Sequence, residues 1–179
     1  MRLVLDACVL FPTVLREILV GVAEEGLIAP LWSERILEEW RRAALRVAPE
    51  AAGVAEAEIA AFRQAFPAGR VVGAEAVEAR LSLPDANDLH VLATAIEGRA
   101  EAIVTLNLRD FPGRTLARHG LVARSPDSLL IELAGDAPQA VGDVVEDARR
   151  RTEEISGRAQ PLRPLLKRAK LPRLGKTLG

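Results

Sequence analysis

Short apolar runs alternate with longer stretches of helical spacing along most of the chain. The strand-like runs occupy residues 2–6 (RLVLD), 27–32 (LIAPLW), 102–105 (AIVT) and 121–123 (LVA), with a shorter candidate at 70–73 (RVVG). Parallel strands need long crossover connections, which helices usually supply. The alternation therefore predicts an α/β domain, with a short parallel sheet covered by helices on both faces.

The helices predicted between these strands are marked by their capping residues. Ser33 is a candidate N-cap, and Ser125 followed by Pro126 has the N-cap and first-position pattern of another helix. Helices are predicted over residues 14–25, 33–47, 49–66, 84–98, from 125 onward and 138–154. Beyond residue 156 the chain is rich in Pro, Leu, Lys and Arg, which predicts a linker, one short helix and a tail.

The amino-acid composition indicates a globular protein and argues against a secreted or membrane-spanning one. The 179 residues are 49% hydrophobic, 27% charged and 3% aromatic, as in ordinary globular domains. Asp6 interrupts the first apolar run, so no signal peptide is expected, and no apolar stretch reaches the length of about 18 residues that spans a membrane. The single cysteine, Cys8, permits no internal disulfide and is compatible with the cytoplasmic location that we expect.

The net charge of −1 hides an uneven distribution. Residues 1–148 contain 14 Lys or Arg and 23 Asp or Glu, whereas residues 149–179 contain 10 and 2. The basic C-terminal arm could contact phosphates or an acidic partner, or it could be a solvated helix face. Its five leucines, between residues 162 and 174, predict that it packs on something: the acidic body, a second copy of the chain or another protein.

Two acidic residues follow predicted strands. Asp6 ends the first strand, and Asn107 and Asp110 lie just beyond the AIVT strand. Ligand sites in parallel sheets collect beyond the carboxyl ends of the strands, and these two strands are expected to be neighbours. Helix capping by Asp6, and an ordinary turn at Asn107 and Asp110, are the structural alternatives.

Helical angles place Glu39 beside the apolar stripe of residues 36, 40, 43 and 47, and Glu38 on the solvated side. In the helix predicted from Pro84, Asp85 and Asp88 point toward the buried side near the N-terminus, whereas His90 points away. Capping explains one such aspartate better than two. Both histidines are expected at the surface or in a turn.

Acidic side chains that meet at the carboxyl ends of the predicted strands would repel one another. Two carboxylates about 4 Å apart repel by roughly 4 kcal/mol at an effective dielectric constant of 20, so several of them require a cation or raised pKa values. Oxygen ligands without paired His or Cys favour Mg²⁺ or Mn²⁺ over Zn²⁺.

Four segments together resemble the PIN-domain ribonucleases, of the kind that form the toxin in many VapC-type toxin–antitoxin pairs. The segments are VLDACVL, SERILEEW, PDANDLHVLATAI and AIVTLNLRDFP, within residues 2–135. The resemblance implies a three-layer α/β/α sandwich with a short, mainly parallel sheet. It divides the chain into a PIN-like nuclease domain, residues 1–135, and a C-terminal helix with a basic extension, residues 136–179.

The same resemblance implies a metal-dependent endoribonuclease that uses Mg²⁺ or Mn²⁺. The implied catalytic acids are Asp6, Glu39, Asp88 and Asp110, with Asp6, Asp88 and Asp110 as metal ligands; the supporting positions are Asp85, Thr105 and Asn107. Family members commonly have Asn or Ser where this chain has Cys8, and often Asp where it has Asn107. RNA is the implied substrate, and an antitoxin protein and a second copy of the chain are candidate partners.

The sequence is also compatible with two other functions. A metal-dependent phosphohydrolase acting on small phosphate esters would use a strand-terminal aspartate such as Asp6, but such enzymes usually have a second aspartate where this chain has Cys8. In a non-enzymatic binding module, the acids would cap helices and the basic arm would bind RNA or a protein.

Overall fold

The computed structural model describes all residues, Met1–Gly179. The strands are β1 (Arg2–Leu5), β2 (Ala29–Leu31), β3 (Ala102–Val104) and β4 (Val122–Arg124). The helices are α1 (Ala7–Leu10), α2 (Thr13–Glu24), α3 (Glu34–Val47), α4 (Ala52–Ala65), α5 (Glu75–Glu78), α6 (Leu89–Glu97), α7 (Gly113–Ala117), α8 (Pro126–Asp136), α9 (Pro138–Ser156), α10 (Leu162–Arg168) and α11 (Pro172–Leu178). None of these helices combines the length and the hydropathy needed to cross a membrane.

The four strands form one parallel sheet in the order β2-β1-β3-β4. In the central pair, Leu3 lies opposite Ala102 and Leu5 opposite Val104. The α/β class is thus confirmed, as is the expected adjacency of the strands that precede Asp6 and Asp110. Their carboxyl ends meet at the same edge of the sheet.

The core is built on the central strands. Leu3, Val4 and Leu5 of β1 are fully buried, as are Ile103 and Val104 of β3. Helix α6 packs against both strands. Continuous burial of this kind is characteristic of parallel strands covered on both faces, and it explains why these runs are apolar without alternation.

The chain forms two compact units. The first comprises Met1–Phe11 and Ala29–Arg124 and contains the whole sheet, whereas the second comprises Pro12–Ile28 and Ser125–Gly179 and is entirely helical. The division at residues 135 and 136 that the sequence suggested stays a prediction.

Close helix packing organises the second unit. Helix α2 lies so near α9 that a Cβ atom at Gly21 would be 2.5 Å from Cγ1 of Val144. Ser125 caps α8, since its hydroxyl accepts a hydrogen bond from the Ser128 N–H, as its place in the sequence predicted. Gly157 ends α9 in the left-handed conformation at φ +63°, which glycine adopts without steric cost.

The C-terminal arm forms two short helices, α10 and α11, where one helix and a tail were predicted. Leu165, Leu166, Leu171 and Leu174 are buried, and α11 packs on α8. These leucines therefore pack within the same chain, and not on a second copy or another protein.

Three local predictions were wrong. The chain after β1 forms the short helix α1, which lies outside the predicted helices. The run at 70–73 makes only a single bridge, between Trp32 and Arg70, because Gly69 and Val71 bond to the backbone of Trp32 alone. Val47, assigned to the buried stripe of α3, is 70% exposed because it occupies the last residue of the helix.

Candidate active site

Asp6 stands at the end of β1 and is 5% exposed. Its backbone N–H continues the sheet by donating to the Val104 carbonyl at 3.1 Å. Although Asp6 precedes α1 directly, its side chain makes no capping hydrogen bond. The capping explanation for this aspartate therefore has no support in the structure.

Two neighbouring side chains fix the Asp6 carboxylate instead. The Thr105 hydroxyl donates to Oδ2 of Asp6 at 2.7 Å, and the Cys8 thiol donates to the same oxygen at 3.0 Å. Thr105 is fully buried and also accepts the Asn107 N–H at 3.0 Å. A polar cluster thus joins the ends of β1 and β3 and sets the direction of one carboxylate.

Cys8 takes part in this cluster as a protonated thiol. Its sulfur accepts the Leu106 N–H at 3.2 Å while donating to Asp6. Burial, followed by the negative charge of Asp6, raises the pKa of the Cys8 thiol to about 12. A thiol held in its neutral form is a poor nucleophile, so Cys8 supports Asp6 and has no covalent role.

Asp88 lies where several negative charges converge. Burial, and then the charges of Asp6, Asp110, Asp85 and Glu39, raise the pKa of the Asp88 carboxyl to about 6. Asp88 occupies the capping position of α6, yet its side chain makes no capping hydrogen bond. A carboxylate without a local donor, whose pKa is raised by the charges of other carboxylates, is a candidate functional group.

Asp85 behaves differently from Asp88. Its Oδ1 accepts the Asn87 N–H at 2.9 Å and caps the single 3₁₀ turn Ala86–Asp88, after which α6 begins at Leu89. The helix predicted from Pro84 is therefore interrupted, because Asp85 is extended and holds a turn. Capping accounts for Asp85 and leaves Asp88 unexplained.

Glu39 reaches α6 through His90. The two side chains meet at 2.7 Å between Oε1 of Glu39 and Nε2 of His90. An ionised carboxylate only accepts hydrogen bonds, so the imidazole Nε2–H is the donor. Nδ1 of His90 is buried and has no partner, so the imidazole is held in place chiefly by Glu39 and its packing.

Glu38 has other partners although it is adjacent in sequence. Its carboxylate accepts from Arg41 at 2.7 Å and from Arg42 at 2.8 Å. The Arg41 guanidinium is the main reason that the pKa of Glu38 is lowered to about 2. The helical angles predicted this difference in partners, but the two side chains are equally exposed, at 35% for Glu38 and 34% for Glu39, so the prediction of a more solvated Glu38 was wrong.

The remaining predicted residues follow β3. Asp110 is half-buried and ends a 3₁₀ turn, Leu108–Asp110, in which its backbone N–H donates to the Asn107 carbonyl at 3.0 Å. Asn107 itself is exposed. Of the two positions, only Asp110 contributes a charge that raises the Asp88 pKa.

Comparison with known proteins agrees with this geometry. The sequence model of the PIN domain matches residues 2–109, which is more than half of the chain and includes Asp6, Glu39 and Asp88. The chain belongs to the PIN-domain family. Membership also confirms the three-layer α/β/α fold that the resemblance implied.

Similarity to a curated protein is confined to a shorter stretch. The chain is 47% identical over 45 residues to "Putative ribonuclease VapC50" of Mycobacterium tuberculosis. The matched stretch is 25% of this chain and spans about a quarter (27%) of that relative. No solved structure matches the chain significantly.

The donor set of this PIN domain suits a hard divalent cation. No three His, Cys, Asp or Glu side chains are arranged as a ready-made metal site. The chemistry of the donors fits Mg²⁺ or Mn²⁺ nonetheless, because the charges that converge on Asp88 all come from carboxylates. Asp6, Asp88 and Asp110 are the residues that could hold such an ion.

His90 is the PIN-domain site residue that sequence reasoning missed. It was expected to point away from the buried side of its helix, but it is 3% exposed. Helix α6 packs on β1, β3 and α5, so more than one of its faces is covered. The signal lay in the sequence LHVLATAI, which is apolar nearly all round and is therefore typical of a buried helix.

A separate groove of about 510 Å³ lies between α3 and α4. Two of its three acidic side chains are paired, Glu34 with Arg63 at 2.6 Å and Glu38 with Arg41, and the third, Glu56, is exposed. The groove therefore does not bring several unpaired carboxylates together. The better candidate site is the set of acids whose charges act on Asp88. We call this set, Asp6, Glu39, Asp85, Asp88 and Asp110, the acid cluster.

Proposed function

We propose that this chain is a metal-dependent endoribonuclease that hydrolyses RNA phosphodiesters, as the toxin of a toxin–antitoxin pair. The observation that carries the proposal is the parallel pairing of β1 and β3, which brings Asp6 and Asp110 to the same edge of the sheet; the charges of both raise the pKa of Asp88. Family membership and the name of the M. tuberculosis relative support the choice of nucleic acid as the substrate.

Asp6, Asp88 and Asp110 would hold Mg²⁺ or Mn²⁺. Such an ion, when bound, lowers the pKa of water and balances the charge that develops on the phosphate. Thr105 and Cys8 donate to one oxygen of Asp6 and so restrict its rotation. This restraint sets the carboxylate in place before substrate arrives, which reduces the reorganisation needed during the reaction.

Glu39 is the proposed proton acceptor for the attacking water. Its Oε1 is occupied by His90, which leaves Oε2 to receive a proton. Attack by water, and not by the ribose 2′-hydroxyl, would give products with 5′-phosphate and 3′-hydroxyl ends. His90 acts as a positioning residue, because it contacts Glu39 and no reacting atom is assigned to it.

The structure disfavours the two alternative functions. A phosphohydrolase with Asp6 as nucleophile would usually have a second acid at position 8, where this chain has a neutral thiol. In a binding module the acids would cap helices, whereas neither Asp6 nor Asp88 makes a capping bond.

Cleavage of a mixed RNA pool tests the proposal. We expect the purified chain to cut single-stranded RNA with Mg²⁺ or Mn²⁺, and EDTA to abolish cleavage. Asp88→Asn should be inactive, whereas Glu97→Gln, an exposed acid at the end of the same helix, should retain wild-type activity. Full activity in EDTA, or of the Asp88→Asn variant, would contradict the metal-dependent mechanism.

A further inference from the structure

We propose that α10 and α11 form a binding surface for the phosphate backbone of single-stranded RNA. The surface, which we call the basic helix pair, consists of residues 158–178. The proposal rests on the proposed function only in naming RNA as the ligand, and it adds a site outside the acid cluster.

The basic helix pair is a folded element with a fixed shape. Leu165, Leu166 and Leu174 are buried at 3% exposure or less. A Cβ atom at Gly175 would lie 3.3 Å from Cβ of Leu166, so the two helices are in close contact. Because the backbone is ordered before binding, ligand binding would not be opposed by a loss of backbone conformational entropy.

A buried aspartate anchors the second helix to α8. Asp127 is 6% exposed, and its two carboxylate oxygens accept the backbone N–H groups of Arg173 at 3.0 Å and Leu174 at 2.9 Å. The bonds use the backbone of Arg173 and leave its exposed side chain free to contact a ligand.

The outer face of the basic helix pair carries positive charge alone. Residues 156–179 contain seven Lys or Arg and no Asp or Glu. All seven are exposed, and none forms an ion pair; they are Arg158, Arg163, Lys167, Arg168, Lys170, Arg173 and Lys176. By contrast, Arg149 and Arg150 of α9 are engaged with acids of their own helix. Unpaired cations are available to replace the counterions of a nucleic acid.

The chemistry of the surface favours RNA over an acidic protein. Protein interfaces usually place apolar side chains at their centre, but no large hydrophobic residue is exposed between 156 and 179. The leucines of the basic helix pair all serve its packing or are half-buried. Residues 1–148 have a net charge of −9 and repel polyphosphate, so a nuclease built on them needs an attractive surface elsewhere.

The test measures binding without cleavage. Fluorescence anisotropy with a labelled oligouridylate of about 20 nucleotides, in EDTA and at several salt concentrations, gives the affinity and its salt dependence. The test variant combines Arg163→Gln, Lys167→Gln, Arg173→Gln and Lys176→Gln. The matched control removes four exposed, unpaired arginines from the other unit: Arg46→Gln, Arg80→Gln, Arg114→Gln and Arg118→Gln.

We expect the test variant to lose at least about tenfold in affinity at about 0.1 M salt, and the slope of log affinity against log salt to shrink by about 3, since each lost phosphate contact removes about 0.7. The control should stay within about twofold of wild type. Equal losses in the two variants would show that only net charge matters and would overturn the proposal, as would no loss in either. If the test variant is unstable, Lys167→Gln and Lys176→Gln singly should each reduce the slope by about 0.7.

Two further outcomes separate RNA binding from the other possibilities. Tighter binding of polyglutamate than of oligouridylate would overturn the proposal in favour of an acidic protein partner. A chain that binds RNA as expected but cleaves none with Mg²⁺ would contradict the proposed ribonuclease function and leave the RNA-binding surface standing.

Discussion

The acid cluster of the first unit and the anchor of the basic helix pair in the second unit use aspartate in opposite ways. Asp88 has no capping bond, and burial together with the charges of four other carboxylates raises its pKa. Asp127 is more deeply buried, yet both of its oxygens accept backbone N–H groups.

The difference shows how function can be recognised without a bound ligand. A buried carboxylate that is satisfied by backbone donors stabilises the fold, and its removal leaves those donors unpaired. A carboxylate that is repelled by its neighbours destabilises the fold and is explained by a ligand outside the chain. Substitution of each kind of aspartate should therefore change different measurements.

The largest effect is expected at the ends of the central strands. Asp110→Asn should reduce RNA hydrolysis by about a thousandfold or more, because it removes a proposed metal ligand. The melting temperature of the metal-free protein should stay unchanged or rise, since one repelling charge is lost. Asp6→Asn should reduce hydrolysis by a similar factor, and its melting temperature should change little because the amide oxygen can still accept the hydrogen bonds of Thr105 and Cys8. A large drop in melting temperature for either variant would show that the carboxylate is structural.

Asp127→Ala should give the reverse result. The free energy of unfolding should fall by about 1–3 kcal/mol, because two backbone N–H groups at the start of α11 lose a charged acceptor. The rate of hydrolysis of a short RNA by the folded protein should not change. Urea denaturation beside Asp136→Ala, an exposed aspartate of the same helix, checks this. Equal stability of the two variants would contradict the anchoring role.

His90 should affect the rate only through Glu39. We expect His90→Leu to lower kcat by about tenfold with little change in KM, because the Glu39 carboxylate loses its positioning donor. His90→Gln, which keeps a donor, should recover part of the loss. In a Glu39→Gln background, His90→Leu should cost nothing further.

The control for this pair is Glu38→Gln, since Glu38 is held by Arg41 and Arg42 and should be nearly silent. Equal losses from His90→Leu with and without Glu39→Gln would contradict a positioning role and indicate a packing role for the imidazole.

A smaller effect is expected in the pH dependence of stability. The pKa of Asp88 is about 6 when folded, against 3.8 for an ordinary aspartate, so the folded chain binds more protons than the unfolded chain between these values. Stability of the metal-free protein should therefore fall as pH rises from about 4 to 6, by an amount of order 1 kcal/mol after allowance for solvent screening.

Asp88→Asn should remove this part of the pH dependence. Urea midpoints of wild type and variant, measured in EDTA across the same range, isolate the contribution of Asp88 from that of other groups. Parallel curves for the two proteins would show that the Asp88 carboxyl titrates normally.

The sequence was sufficient to predict the sheet and the placement of Asp6 and Asp110 beyond two neighbouring strands. The apolar runs ending at Asp6 and preceding Asp110 predicted two parallel strands, and β1 and β3 are indeed neighbours. Helical angles separated Glu38 from Glu39 because α3 is regular from Glu34 onward. Both predictions rest on the pattern of apolar and polar residues within one strand or helix, and a single sequence contains that pattern.

Other features depended on tertiary structure. The position of His90 follows from how many elements cover α6, and angles within one helix do not report that number. The start of α6 depended on Asp85, whose side chain caps a separate 3₁₀ turn ahead of the helix. The course of α10 and α11 depended on Asp127, an acceptor about 46 residues away in sequence.

Titration of Mn²⁺ by calorimetry tests the central claim most directly, namely that the carboxylates around Asp88 form a divalent-ion site. Wild type and Glu97→Gln should bind Mn²⁺ with the same affinity, and Asp88→Asn should bind at least about tenfold more weakly because it loses a charged oxygen ligand. Binding of equal strength by Asp88→Asn and wild type, or no binding by wild type, would contradict the account.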